Sequence, residues 1–219
     1  MIRVLGFPLS VLRVNCYVLL DTGARRAVVI DPGLGVTPLL HVLQDVRVEA
    51  VLLTHGHFDH IAGVGTLRSL TGAPVHVHAD DALLLGDPQL NLSLLPVLRV
   101  VAPDPDVTLR GGETLNFLGQ TIEVLHTPGH SPGSVCYRLG DLLFTGDTLE
   151  AGKLGRTDLP GSDRQALARS LRERILPLPP STRILPGHGM PTDLATELRT
   201  NPDLRAVART AGVQPVASP

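Results

Sequence analysis

The sequence of 219 residues is short of several things at once. It has one lysine, Lys153, two cysteines, Cys16 and Cys136, no tryptophan, and only 3% aromatic residues. Two cysteines so far apart make neither a disulfide framework nor a zinc knuckle; they read as buried, inert thiols in a reducing cytoplasm. A formal net charge of -2 removes the electrostatic case for nucleic acid or an anionic membrane as partner. No apolar run approaches the roughly 18 residues that cross a bilayer. The opening MIRVLGFPLSVLRVNCYVLL has the tone of a signal peptide, but Arg13 and Asn15 interrupt it and no small-residue cleavage site follows. A cytoplasmic location is the expectation.

What the chain does have is hydrophobic sequence, 43% of it, enough for one sizeable core and a single domain over residues 1–219. Short apolar, β-branched segments such as NCYVLLD, RAVVIDPG, EAVLLTH and APVHVHA end in turn residues and read as strands. TPLLHVLQDV and HIAGVGTLRSLTG read as helices between them, the second closed by a C-cap glycine. In the second half, ETLNFLG, QTIEVLHTPG, GSVCYRLGD and LLFTGDT look like an antiparallel run. A helix over 162–176 follows, with Leu167, Leu171 and Ile175 on one face, and then the strand TRILPGHG. Strand, tight turn and strand ending in Asp-Pro-Gly or Gly-Asp occurs in both halves. This echo suggests two similar halves, face to face with helices outside, in a four-layer α/β/β/α sandwich. Residues 86–110 read as a Pro-rich connection between the halves, and the tail ELRTNPDLRAVART as a solvated closing helix.

Histidine is concentrated. Of nine histidines, three fall with an aspartate in HGHFDH, residues 55–60. His55 and His57 leave a strand in extended conformation and so face the same way, while Asp59 and His60 sit where the chain turns into a helix. Such crowded imidazoles repel one another when protonated, and a metal ion removes that repulsion. Four ligands in six residues is dense for one ion and natural for two. Further candidates stand at the ends of later strands: His130 in HTPGHSPGS, Asp147 in LLFTGDT and His188 in ILPGHGMPT. Asp147, with two oxygens, is the natural bridge.

In this order, THGHFDH, HTPGHSPGS, FTGD and PGHG resemble the metallo-β-lactamase fold superfamily over essentially the whole chain. The resemblance implies the sandwich with a dinuclear site at its open edge. It implies that His55, His57 and His130 hold the first metal, that Asp59, His60 and His188 hold the second, and that Asp147 bridges. Asp59 and Asp147 would be the carboxylates that bear on catalysis. Asp31, in VVIDPG, matches an early acidic motif whose carboxylate supports the ligands from behind; an ordinary turn aspartate is the competing reading.

Two divalent ions sharing a water lower its pKa toward neutrality and polarise a carbonyl, which suits hydrolysis of esters, thioesters, lactams or phosphodiesters. Histidine and carboxylate ligands suit zinc first, with iron or manganese as alternatives. Aspartate at 147, where the main zinc subclass of lactamases carries cysteine, argues against a lactamase. GKLGRTDLPGSD, with NCYVLL before and ELRTNPDL after, resembles short glyoxalase II-like hydrolases, whose substrates are hydroxyacyl thioesters of glutathione or a related thiol. Arg156 falls about where longer relatives keep a basic residue for the thiol's carboxylate; a solvated loop arginine is the alternative. Two features of full-length glyoxalase II are missing, the helical C-terminal domain and the tyrosine after the last metal histidine, where Gly189 and Met190 stand. LGRTD also resembles persulfide dioxygenases, with one iron on the equivalents of His55, His130 and Asp147; that is the alternative activity. His126 is expected to support a loop near the site, and His76 and His78 to be strand residues.

Overall fold

The computed structural model describes residues 1–93 and 98–212. A first sheet consists of β1 (Ile2–Leu9), β2 (Val14–Asp21), β3 (Arg26–Ile30), β4 (Arg47–Leu52), β5 (Val75–His78) and β6 (Val107–Leu109), adjacent in that order. The pairs β1–β2 and β2–β3 are antiparallel hairpins, whereas β3 through β6 pair in parallel. Parallel neighbours need crossovers. Helix α1 (Thr37–Leu43) supplies the first, and α2 (Phe58–Ile61) with α3 (Val64–Thr71) the second.

The second sheet contains β7 (Thr114–Phe117), β8 (Gln120–His126), β9 (Val135–Leu139) and β10 (Leu142–Gly146), which form the antiparallel run expected from the sequence. A small hairpin of β11 (Leu149–Glu150) and β12 (Lys153–Leu154) follows, then α4 (Arg164–Ser170), β13 (Arg183–Pro186), β14 (Thr192–Asp193), α5 (Leu194–Thr200) and α6 (Pro202–Thr210). The strand order of this sheet is β14-β13-β10-β9-β8-β7, with β13 parallel to β10.

Because strand side chains alternate, each central strand serves two cores. Tyr17, Leu19, Val28, Ile30 and Leu52 meet Val124, Tyr137 and Phe144 between the sheets. Val18, Leu20, Val29 and Val51 pack instead against Leu39, Ile61 and Leu67 of the outer helices. On the far side, Leu143 and Ile184 pack against Leu167, Leu171 and Ile175. Apolar cores in all three gaps between four layers make this the α/β/β/α sandwich that the sequence pattern suggests.

Four local expectations need correction. The helix expected over residues 60–72 is broken at Gly63, whose N–H donates to the Pro32 carbonyl at 2.8 Å. A Cβ at Gly63 would collide with the Gly33 carbonyl and with Val36, so the loop after β3 presses the two helices apart. The tail is not a solvated helix: α5 and α6 bury Leu194, Leu198, Leu204 and Ala208 in the third core. The 86–110 connection is no simple linker, since Val100 and Ala102 join the first core and β6 extends the first sheet; residues 94–97 of it lie outside the described residues. The start of the chain, not expected as a strand, forms β1 at the sheet edge, where Pro8 withdraws no interior ladder bond.

Candidate metal centre

Strands β4, β8, β10 and β13 run into the loops that carry the candidate ligands. Beyond β4 the chain stays extended through His57 (φ -69°, ψ 148°) and then turns into α2, which delivers Asp59 and His60 in its first turn. The loop between β8 and β9 supplies His130, Asp147 directly follows β10, and His188 follows β13. All seven residues converge. The ligand atoms of His55, His57 and His130 lie within 4.8 Å of one another, as do those of Asp59, His60 and His188. Asp147 stands between these trios: its Oδ1 is 3.3 Å from His60 Nε2, and its Oδ2 is 3.5 Å from His130 Nε2 and 3.7 Å from His188 Nε2.

The outward ring nitrogens are fixed by hydrogen bonds. His60 Nδ1 donates to Asp31 Oδ2 at 2.9 Å, His130 Nδ1 to the Arg156 carbonyl at 2.9 Å, and His188 Nδ1 to the Leu12 carbonyl at 3.2 Å. His55 Nδ1 lies 3.1 Å from Thr54 Oγ1, which itself donates to Asp31 Oδ2 at 2.6 Å. Each of these four rings therefore points Nε2 inward, the nitrogen that a metal would take once it is deprotonated. His57 presents Nδ1 instead, 2.9 Å from His130 Nε2. Asp31 also accepts the Thr54 N–H at 2.7 Å, so one carboxylate orients candidate ligands of both trios. It does so from a left-handed backbone conformation, φ 50°, which costs strain for a non-glycine residue.

The donor set fits metal ions. His55 Nε2 is buried with no hydrogen-bond partner, and His60 Nε2 and Asp147 Oδ1 are buried facing only each other at 3.3 Å, an arrangement that is costly without a cation to receive them. Burial, reinforced by the neighbouring imidazoles, holds His55 well below its ordinary pKa. Burial likewise pushes His57 down to about 3, so both are neutral, ligand-ready rings at physiological pH. His60 goes the other way: burial opposes its charge, but Asp147, Asp59 and Asp31 outweigh that and raise its pKa well above the usual value. Burial would raise Asp147, yet His60 and the other histidines hold it well below the carboxylate range. Without metal, His60 holds a proton beside Asp147 while His55 and His57 hold none. Gly187 leaves the room for this packing, since a Cβ there would strike Asp147 Oδ1 and His60.

Arg156 contributes through its backbone, as the acceptor for His130. Its side chain is exposed and forms a two-pronged pair with Asp158 at 2.9 and 3.0 Å. His126 donates to the Pro132 carbonyl at 3.0 Å and stacks on His78, with ring centroids 3.9 Å apart and planes 15° from parallel. With Asp80 these two form another close group of ligand-type residues, but stacked parallel rings direct their lone pairs side by side rather than at one point. Thr54 and the carbonyls of Leu12 and Arg156 escaped the sequence reading. Thr54, next to His55, carried a usable signal; the carbonyls carried none. Beside His188, a cleft of about 480 Å³ opens between the β1–β2 turn and the 188–191 loop, lined among others by Leu12, Arg13, Asn15, Tyr17 and Met190.

Known proteins share both sequence and fold with this chain. It is 34% identical over 206 residues to hydroxyacylglutathione hydrolase GloC of Haemophilus influenzae, an alignment covering 91% of this chain and 96% of that one. The crystal structure of BLEG-1 B3 metallo-beta-lactamase superposes with a TM-score of 0.87 at 38% identity, covering 92% of this chain and 99% of that one. TTHA1623, solved in a di-iron-bound form, gives a TM-score of 0.80 at 39% identity, covering 91% of this chain and 99% of that one. The family model described as the metallo-beta-lactamase superfamily matches residues 9–188. That span contains every ligand candidate from His55 to His188, and the chain belongs to the metallo-beta-lactamase superfamily.

Proposed function

We propose that this protein is a dinuclear metal-dependent hydrolase of hydroxyacyl thioesters, a small-molecule enzyme of the glyoxalase II type. The observation that carries this reading is the pair of inward-facing trios joined through Asp147. His55, His57 and His130 would hold one ion, Asp59, His60 and His188 the other, and Asp147 would serve both. Zinc is the proposed metal, with iron or manganese as alternatives; the di-iron form of TTHA1623 supports occupancy by two ions. When bound, such ions supply a water of near-neutral pKa and polarise the carbonyl under attack. The protein's part is to hold the ligands in place: Asp31 and Thr54 fix His60 and His55, while the carbonyls of Arg156 and Leu12 fix His130 and His188. The cleft beside His188 would take the substrate. A thiolate leaves without a strong general acid, so the reaction needs no further side chain. The likeness to GloC supports the thioester as substrate class.

Lactam hydrolysis is the second reading, favoured by the likeness to BLEG-1. The aspartate at 147 speaks only against the main zinc subclass, which carries cysteine there, so the likeness to GloC is the ground for preferring the thioester. The iron persulfide dioxygenase would use His55, His130 and Asp147 and leave Asp59, His60 and His188 without a task. One experiment separates all three: metal-quantified protein is assayed against S-D-lactoylglutathione, against a β-lactam, and against glutathione persulfide with oxygen uptake. Thioester hydrolysis with about two ions per chain is the expected result. Lactam turnover without thioester turnover would favour the second reading, and oxygen uptake with one iron would replace both.

A further inference from the structure

Asp81 is a buried carboxylate with no part in the chemistry above. Past β5 the chain makes a tight helical turn over Ala79–Leu84, and within it the Asp81 side chain is 0% exposed. Its Oδ2 accepts the Gly56 N–H at 2.8 Å and the Ser131 hydroxyl at 2.7 Å, and its Oδ1 accepts the Gly133 N–H at 2.6 Å. Gly56 lies between His55 and His57, and Ser131 follows His130. One carboxylate thus ties together the two loops that carry the three-histidine trio. None of its hydrogen bonds goes to the α2 turn or the 187–191 loop, which carry the other trio. The three donors need acceptors on both oxygens, which only the ionised carboxylate offers.

The approach of this segment explains two glycines. A Cβ at Gly133 would lie 2.7 Å from the Asp81 Cβ and Cγ, and one at Gly56 would lie 2.6 Å from Leu84 Cβ and 3.0 Å from the Asp81 carbonyl oxygen. The end of β5 supports the same loop by a second route, through His78 stacked on His126 and the His126 bond to the Pro132 carbonyl.

We infer that Asp81 is the positioning residue of the three-histidine site: by holding Gly56, Ser131 and Gly133 together it sets the spacing of His55 and His57 against His130. The inference deepens the two-ion reading and rests on it. Asp81→Asn keeps the volume but turns one oxygen into an amide donor, facing either Gly133 or the Gly56 and Ser131 pair. Cobalt(II) titration of wild type and variant reads the effect, with His57→Ala and Asp59→Ala marking which phase belongs to which site. The expected result is affinity weakened about 10- to 100-fold at the His55/His57/His130 site, with the other site unchanged. Amide exchange in the metal-free protein gives an independent readout: Gly56 and Gly133 should exchange faster in the variant while β4 and β9 keep their protection. Ser131→Ala removes one of the bonds and should weaken the same site by a smaller factor; it decides the matter if Asp81→Asn does not fold. Equal weakening at both sites, or no change at either, would overturn the assignment. A wild type that binds no second cobalt would count against the two-ion reading alone, because the exchange data still decide whether Asp81 holds the loops.

Discussion

At the scale of single residues, Asp31 has the widest reach. It receives hydrogen bonds from the Thr54 backbone, the Thr54 hydroxyl and His60, and through Thr54 it also governs His55. Asp31→Asn would offer a donor where donors already point. Turnover or metal affinity should fall about 10- to 100-fold, measured beside the melting temperature; full activity with full metal would refute this role. The histidines also predict how the metal-free protein responds to acid. Below about pH 6.5 the unfolded chain protonates His57, while the folded site refuses that proton until about pH 3. His57 therefore withdraws stability as pH falls through that window, at up to about 1.4 kcal/mol per pH unit, and His55 acts in the same direction. His60 has the opposite sign: its raised pKa gives stability that is fully present below about pH 6.5 and is lost as pH rises through its folded value. Urea midpoints of metal-free wild type and His57→Gln between pH 4 and 6.5 should show a shallower acid limb in the variant. Superimposable limbs would contradict the assignment.

At the scale of elements, local patterns were readable and remote ones were not. The spacing of Leu167, Leu171 and Ile175 marked a buried helical face, and all three lie in the third core, although the helix ends in a wider π turn after Ser170. Leu171→Ala should cost about 2–5 kcal/mol of stability with metal content per folded chain unchanged, which a denaturant titration and a metal assay would check. The break at Gly63 could not be read from its neighbours, because Pro32 and Gly33 impose it from another loop. In the tail, the mixture of arginine and acid obscured Leu204 and Ala208, whose i, i+4 spacing on α6 was the better guide to burial. Of the candidate site, the side-chain candidates were legible because they cluster in HGHFDH or stand in loops just beyond later strands, with small residues beside them. The Leu12 and Arg156 carbonyls were not, since every residue has one and only the fold selects which turns inward.

At the scale of the whole molecule, the candidate ligands come from loops of both sheets. His55 to His60 follow β4 of the first, while His130, Asp147 and His188 lie beyond strands of the second. The site therefore exists only when the halves are joined, and metal binding should report on assembly of the entire sandwich. The two thiols are also separated by the layers: Cys16 lies in the first core and Cys136 in the third. Burial raises the pKa of both, that of Cys136 to about 11. A thiol reagent at pH 8 should label neither in the folded protein and both after denaturation; labelling of the native protein would mean that a core opens.

The most direct test of the two-site account is the metal content of the dialysed protein beside that of Asp59→Ala. The account predicts about two ions per chain in the wild type and about one in the variant. A single ion in the wild type, retained undiminished by Asp59→Ala, would contradict it.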